Sequence, residues 1–250
     1  MTRVLMHFKI LIVGLFVLKS FGSGLPDYYY KMKSGERQKR EFIKIMLPLI
    51  KKSNHLIVVE RQFVKKFFDE AIKTGFRDLP SKNLSKLLRL SRKYRIKNLF
   101  DRRQYLKRID VVPVSLALAQ ASVESGWGKS RFVREANNIF GHWTYTGVGL
   151  IPAGREEGKT HRIRIFASLQ RSVNAYMLNL NRNLAYQSFR DKRLKYRQEH
   201  KDFNGIAAAK TMLMYSQLRE KYIKILVGLI RDENLLYYDA YKPAALMDSA

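Results

Sequence analysis

Apolar and polar positions in the first 110 residues follow the spacing of amphipathic helices. Apolar side chains recur three to four positions apart in four segments, which span residues 34–54, 55–76, 81–96 and 100–110. Pro48 predicts a kink in the first helix, Gly75 predicts the end of the second, and Ser81 or Asn83 opens the third. We therefore predict a helical N-terminal region that packs on the rest of the chain and carries no chemistry of its own.

The pattern changes after residue 110. Residues 111–128 form an Ala-rich apolar stretch, which predicts a buried helix with Pro113 in its first turn and Gly126 at its end. Aromatic and β-branched residues alternate partially in 138–147 and 159–166, and the Gly/Pro loop between these segments predicts a β-hairpin. Four further helical patterns follow, in residues 168–183, 185–200, 205–216 and 217–236. The predicted fold class is mainly α (α+β), with one small hairpin.

The N-terminus has the order of an export signal. Arg3 and Lys9 precede an apolar run from Ile10 to Leu18, and small residues follow at positions 22–24. We interpret residues 1–24 as a signal peptide or a retained N-terminal anchor, and expect an exported protein of the periplasm or cell envelope. The remaining predicted units are a basic helical region at 25–110, a second domain at 111–240 and a tail at 241–250.

Charge and cysteine content narrow the function classes. The 250-residue chain has no Cys, which excludes disulfides and Cys-based metal sites. Its formal net charge is +27, and removal of the three Lys/Arg in residues 1–24 leaves 27 − 3 = +24. Such a charge attracts polyanions. The basic residues are spread along the chain without a nucleic-acid motif, so an anionic wall or membrane surface is the candidate partner and nucleic acid is not expected. A general Lys/Arg bias on solvated helix faces, without a specific partner, is the alternative.

One stretch, "AQASVESGWGKSRF" at 119–132, has the composition of a reactive site. Its only carboxylate, Glu124, ends the apolar helix beside Trp127. Poor hydration raises the pKa of a carboxyl group, and a carboxylic acid that stays protonated near neutrality can donate a proton to a leaving oxygen. An alternative is a helix-end Glu paired with Arg131 or Arg134. Nearby aromatic residues are candidate stacking surfaces for sugar rings: Trp127, Phe140, Trp143 and Tyr145.

Two histidines of the predicted hairpin invite a metal-site interpretation. His142 and His161 are not accompanied by the ligand spacing of a zinc site. We interpret both as hairpin residues that hydrogen-bond to backbone, and we expect no bound metal.

Four blocks of sequence resemble one bacterial family. They are "PVSLALAQASVESGWGKSRF", "EANNIFGHW", "SVNAYMLNLNRNLAYQSFRDKR" and "YSQLREKYIKILVGLIRDENLL". Together they resemble the glucosaminidase-domain proteins, wall hydrolases of glycoside hydrolase family 73 and its relatives. The basic N-terminal helices resemble those of the Bax-type subgroup of bacterial proteins. The resemblance covers residues 30–240.

The resemblance implies a lysozyme-like fold, in which a helical lobe and a small β-hairpin lobe flank a groove. It implies that Glu124 is the catalytic general acid and that the substrate is the glycan of peptidoglycan, cut at its N-acetylglucosaminyl bond. No metal or cofactor is implied, and amidase activity is not expected. Asn138 and Phe140 match the "NNxFG" segment. Tyr176 and Tyr186 match the first and last Tyr of a "YxxxLxxNxxY" segment, and Tyr186 corresponds to a cleft Tyr. The resemblance thus makes Tyr186 a candidate catalytic residue, and it makes Asn138, Phe140 and Tyr176 candidate substrate-binding residues.

The second catalytic carboxylate of this family is uncertain in the present sequence. Glu156 and Glu157 are the candidates from the hairpin loop, and Ala175 occupies a position where flagellar members carry Asp. Inversion needs a base carboxylate roughly 6.5–9.5 Å from the acid. Substrate-assisted cleavage uses the 2-acetamido group of the sugar instead, and we favour it. A lytic transglycosylase and a non-catalytic wall-binding or scaffolding protein are the alternative functions.

Overall fold

The computed structural model describes residues 24–152, 155, 158 and 160–240. The α-helices are α1 (Asp27–Tyr30), α2 (Glu36–Lys73), α3 (Ser81–Tyr94), α4 (Arg102–Arg108), α5 (Val114–Ser125), α6 (Arg131–Ala136), α7 (Leu169–Arg182), α8 (Gln187–Gln198), α9 (Gly205–Ala209) and α10 (Glu220–Asp232). Short 3₁₀ turns cover Leu184–Tyr186 and Leu235–Ala240. Apart from Gly24, the predicted signal or anchor lies outside the described residues, and so does the predicted tail. Within the described ranges, no helix is both long and apolar enough to cross a bilayer.

The structure corrects the division of residues 34–76 into two helices. They form a single helix, α2, of 38 residues, and Pro48 lies inside it. Polar residues that interrupt the apolar pattern make buried tertiary contacts instead of ending the helix. Asn54 exchanges two hydrogen bonds with the backbone of Val112, and Ser53 bonds to Asn174 of α7. The predicted end near Gly75 is confirmed, because α2 stops at Lys73.

Helix α5 is central, as its Ala-rich sequence predicted. Most of its side chains are fully buried, and α2, α9, α10 and the final 3₁₀ turn pack against it. Its helical end at Gly126 is confirmed, and Pro113 is the residue immediately before its first turn. One continuous apolar core runs from Leu25 to Leu235, so the N-terminal helices and the helices after residue 111 share it.

A buried ion-pair network also joins the two halves. Asp110, which precedes α5, is 1% exposed and pairs with Arg197 of α8, with Arg193 and Arg61 close by. Burial alone would raise the pKa of the Asp110 carboxyl, but the charges of Arg61, Arg197 and Arg193 hold it well below its usual range. The cost of burying these charges is offset only while all partners are present. Asp110 therefore links Arg61 of α2 with Arg193 and Arg197 of α8 by charge.

The β unit has three strands, where the sequence predicted a two-stranded hairpin. Strands β1 (Trp143–Thr144) and β3 (Arg162–Arg164) pair antiparallel, Trp143 opposite Ile163. Strand β2 (Gly149–Leu150) lies in the predicted loop and pairs with the other edge of β3, which gives the order β1-β3-β2. A Cβ at Gly149 would approach the Ile163 carbonyl oxygen to 2.7 Å, so the third strand depends on glycine here. The mainly helical fold with a small antiparallel sheet is confirmed, and it agrees with a lysozyme-like arrangement.

Candidate active site

The loop after α5 has a left-handed backbone conformation that its two glycines allow. Gly126, Trp127 and Gly128 all have positive φ, between 54° and 76°. This region is strained for L-residues with a side chain, so two of the three positions are glycine. A side chain at Gly128 would collide with Leu25 and with the ring of Phe42. The chain turns sharply after Glu124 and packs tightly against the N-terminal helices.

Trp127 is held by α1 and α2. Its carbonyl oxygen accepts hydrogen bonds from the Tyr29 hydroxyl and from Gln38 Nε2. Its ring meets Phe42 edge-to-face at a centroid distance of 5.7 Å, and Lys39 Nζ lies 5.5 Å from the ring centroid. These contacts place the indole against α2, and the role of Trp127 as a stacking surface for a sugar ring stays a prediction. The N-terminal helices thus stabilise the strained loop that follows the candidate acid.

Glu124 is half-buried at the end of α5, and it ends a chain of hydrogen bonds. Its Oε1 accepts from the Tyr222 hydroxyl at 2.6 Å. The Tyr222 oxygen accepts from Gln120 Nε2 at 3.0 Å, and Gln120 Oε1 accepts from the Tyr176 hydroxyl at 2.6 Å. Gln120, Tyr176 and Tyr222 are buried. This relay joins α5, α7 and α10 and orients the carboxyl group of Glu124.

Aromatic rings surround the relay. Tyr215 and Tyr222 stack in parallel planes at a centroid distance of 5.6 Å, and Tyr186 packs against Tyr215 at 5.8 Å. Burial, and next the nearby charge of Glu124, raise the pKa of Tyr186 to about 12. The same two causes raise the pKa of Tyr222 well above its usual range, with a further contribution from its hydrogen bond to Glu124. Both hydroxyls therefore remain protonated, and the Tyr222 hydroxyl donates to Glu124.

The pKa of Glu124 is raised above its ordinary value. Burial is the larger cause, and the hydrogen bond from Tyr222 opposes it by stabilising the charged form. The alternative arginine partners make other contacts: Arg131 donates to the Ile151 carbonyl, and Arg134 lies over the Tyr30 ring. Among the described residues, no ion pair involves Glu124. Its environment therefore favours the protonated acid.

The two oxygens of Glu124 have different surroundings. Oε1 is occupied by the Tyr222 hydroxyl. Oε2 lies beside Gly141, where a Cβ built on the backbone would be 3.9 Å away. Gly141 also has φ +65°, so a side chain would be strained as well as close to the carboxyl. Because Oε1 already accepts a hydrogen bond, the acid proton belongs on Oε2, next to this glycine.

Three of the predicted substrate-binding residues are buried. Phe140 stacks on Tyr176 at a centroid distance of 3.9 Å, so its ring face is covered. The Asn138 side chain bonds to the backbone of His142 and Arg164 and fastens the start of the sheet. Phe140, Asn138 and Tyr176 therefore shape the site from inside the protein, and we do not retain them as sugar contacts.

Trp143 and Tyr145 are exposed on the β unit. Trp143 stacks on His161 at 4.5 Å, which leaves its other face open. The Trp143 ring is therefore accessible to a ligand, and its role as a stacking surface stays a prediction. The His142 ring differs from expectation. The backbone N–H of His142 donates to Asn138, but the ring Nδ1 is buried and has no hydrogen-bond partner among the described residues. Burial, and next the charge of Arg164, lower the pKa of His142 to about 4.

One expectation falls outside the part of the chain that the structure describes. Glu156 and Glu157, the candidate second carboxylates, are among the residues not described. A metal site also needs several ligating side chains together, and in the described part of the chain no group of three His, Asp or Glu residues has the required proximity.

Sequence reasoning missed Tyr222, which hydrogen-bonds to Glu124, and it missed Gln120 and Tyr215, which contact Tyr222. Tyr222 and Gln120 were assigned only to helical patterns, and Tyr215 only to a helix end. Gln120 was the one polar residue with a long side chain inside an otherwise apolar buried stretch, and that was the available signal. Tyr222 lies 98 residues from Glu124, so no local pattern could have joined them.

Comparison with known proteins agrees with this site. The chain belongs to the glucosaminidase family, whose model is described as mannosyl-glycoprotein endo-beta-N-acetylglucosaminidase and matches residues 101–235. This membership makes the protein a glycoside-hydrolase-like enzyme, and the family points to wall glycan and to action outside the cytoplasm. The match begins within the N-terminal helical region, at the start of α4.

The Bax-type resemblance is also confirmed. The chain is 29% identical over 220 residues to Protein bax of Escherichia coli (strain K12), which covers 86% of this chain and 76% of that protein. No solved structure matches the chain. The similarity therefore extends well beyond the catalytic region and includes the N-terminal helices that hold the Trp127 loop.

Proposed function

We propose that the protein is an exported peptidoglycan hydrolase that cleaves the N-acetylglucosaminyl bond of wall glycan, with Glu124 as general acid. The observation that supports this proposal is that the two oxygens of the Glu124 carboxyl have different surroundings. Its pKa is raised by burial, Oε1 is held by Tyr222, and Oε2 lies beside Gly141. A protonated carboxyl with one fixed oxygen and one free oxygen is suited to donate a proton in a single direction.

We propose substrate-assisted cleavage. As the bond from the anomeric carbon to the glycosidic oxygen breaks, Glu124 Oε2 transfers its proton to the departing oxygen. The 2-acetamido oxygen of the sugar bonds to the anomeric carbon in place of the leaving group. Water then attacks that carbon, the carbon–oxygen bond to the acetamido group breaks, and Glu124 takes up the proton of the water. This sequence retains the anomeric configuration.

The proposal rests on the support for Glu124, which is the one acid of the described chain whose contacts fit a catalytic role, so we favour a mechanism that needs no second protein carboxylate. Inversion remains the competing mechanism and would require Glu156 or Glu157 as base. Trp143 and Tyr145 are proposed as the open sugar-stacking surfaces, since both are exposed on the β unit. Tyr186 is proposed to line the cleft near the acid, because its pKa responds to the Glu124 charge.

Digestion of purified sacculi tests the function. Mass analysis of the soluble muropeptides should find N-acetylglucosamine at the new reducing ends. Anhydro products would instead identify a lytic transglycosylase, and an absence of products alongside sacculus binding would identify a wall-binding protein. NMR of the first-formed anomer separates the mechanisms, because acetamido participation gives the β product and inversion gives the α product from a β-linked strand.

A further inference from the structure

An exposed apolar cluster lies at the far end of α2 from the candidate active site. Ile72, Phe76 and Phe100 are 57%, 42% and 46% exposed. The rings of Phe76 and Phe100 meet edge-to-face at a centroid distance of 5.6 Å, so residues 24 positions apart form one surface. Bulky apolar side chains that are grouped and exposed on a protein surface often mark an interaction site.

Basic residues lie close in sequence to both aromatic residues. Lys73 and Arg77 flank Phe76, and Lys97 and Arg103 flank Phe100; all four are exposed. In the described part of the chain, none of the four forms an ion pair. We call the seven residues the basic aromatic patch: Ile72, Lys73, Phe76, Arg77, Lys97, Phe100 and Arg103.

Neighbouring acids do not neutralise the patch. Asp69 pairs with Arg102 at 2.7 Å, and Glu70 lies 3.8 Å from Lys66. Asp101 caps the first turn of α4. Asp78 is the remaining acidic residue of residues 69–103, so one negative charge is left for the four positive charges of the patch.

The patch is remote from Glu124. The Phe42 ring touches Trp127 beside the candidate acid, and Phe42 and Ile72 are 30 positions apart in α2. At the helical rise of about 1.5 Å per residue this separation is about 45 Å. A ligand at the patch therefore would not occupy the catalytic groove.

We propose that the basic aromatic patch is a peripheral docking surface for an anionic lipid bilayer. Phospholipid phosphates offer the counter-charge that the four cations lack within the described ranges of the chain. Apolar and aromatic side chains such as Ile and Phe insert at the boundary between the lipid headgroups and the acyl chains. A hydrated glycan strand can satisfy the cations but offers little apolar environment to three exposed side chains. Docking at the patch holds the catalytic end of the molecule away from the membrane.

Vesicle binding by the full chain tests the proposal. Phe76→Ser/Phe100→Ser should weaken binding to phosphatidylglycerol–phosphatidylethanolamine vesicles by at least about tenfold. The matched control is Leu56→Ser/Val59→Ser, also on α2, whose side chains are 46% and 43% exposed. The control should bind as the unaltered chain does. Equal binding by the two variants would overturn the proposal.

A local probe separates the patch from any other lipid contact of the chain. Phe100→Trp should be quenched by lipids brominated in their acyl chains, whereas Val59→Trp should not. Absence of quenching at position 100 would overturn the proposal, whatever the total binding. A patch variant that loses sacculus binding while its vesicle binding is unchanged would identify wall polymer as the partner and equally overturn it. Cleavage of a soluble glycan fragment should be unchanged in the patch variants, so failure here is distinct from failure of the proposed function.

Discussion

The Tyr222 hydroxyl donates a 2.6 Å hydrogen bond to Glu124 Oε1. Through this bond α10, near the end of the domain, determines the orientation of an acid on α5. The tyrosine is itself oriented by Gln120, which belongs to the same helix as the acid. The orientation of the Glu124 carboxyl and its pKa are therefore influenced by buried groups.

Glu124→Gln should abolish most of the wall hydrolysis. The amide keeps the shape of the side chain but cannot donate an acidic proton, and loss of a general acid costs about 10²–10⁴ in rate. Rates of dye release from labelled sacculi measure the effect. The unfolding temperature should change little, because the variant preserves volume. Wild-type rates in the Gln variant would refute the role of Glu124.

Tyr222→Phe should move the alkaline limb of the pH–rate profile to higher pH. A general acid works while protonated, so activity falls as the pH rises through the raised pKa of Glu124. The Tyr222 hydrogen bond lowers that pKa, and its removal raises it further. The rate at the optimum should fall because Oε1 is no longer held. Tyr237→Phe, at an exposed position, is the control and should leave the pH–rate profile unchanged. If the two variants had the same pH–rate profile, Tyr222 would have no positioning role.

Gly141→Ala should reduce activity more than its loss of stability explains. The new methyl group would lie 3.9 Å from Glu124 Oε2, the oxygen assigned to proton donation. Gly147→Ala is the matched control, since Gly147 also has positive φ but has no atom within 4 Å of a built Cβ. Both variants should lose about 1–2 kcal/mol to backbone strain. Only the first should lower kcat, and comparable kcat values would contradict the placement of the proton on Oε2.

Glu156→Gln/Glu157→Gln should retain most of the activity if cleavage is substrate-assisted. In that mechanism the sugar supplies its own nucleophile and no second protein carboxylate is needed. Initial rates on a soluble glycan and the first-formed anomer should both match those of the unaltered chain. A loss as large as that of Glu124→Gln would instead identify one of the two residues as the base of an inverting enzyme.

Asp110→Asn should destabilise the protein by about 3–5 kcal/mol, because it leaves buried Arg193 and its neighbours without their anion. Urea denaturation measures the loss. Asp69→Asn, which breaks an exposed pair with Arg102, should cost about 1 kcal/mol or less. Since the folded pKa of Asp110 is depressed, its contribution is present above the ordinary Asp pKa and is lost as the pH falls toward the depressed value. A stability difference between Asp110→Asn and the unaltered chain that did not shrink on acidification would contradict this role.

Local pattern in the sequence determined much of the molecule. Helical periodicity located nearly all the helices, because a buried face repeats with the helical turn whatever it packs against. The Ala-rich stretch before Glu124 and the glycines after it predicted a buried helix with an abrupt end, which the structure confirms. These features depend on neighbours within a few residues, and so the sequence carries them directly.

Tertiary structure alone decided what each face contacts. Periodicity shows that Phe140 or Trp127 prefers burial or an interface but does not name its partner; the fold stacks Phe140 on Tyr176 and turns Trp127 toward α2. It also brings Tyr222 to Glu124 across 98 residues. Hydrogen bonds and ion pairs need distances within a few ångströms, and only the packing of distant helices supplies them. The environment that raises the pKa of the acid is therefore a property of the folded chain.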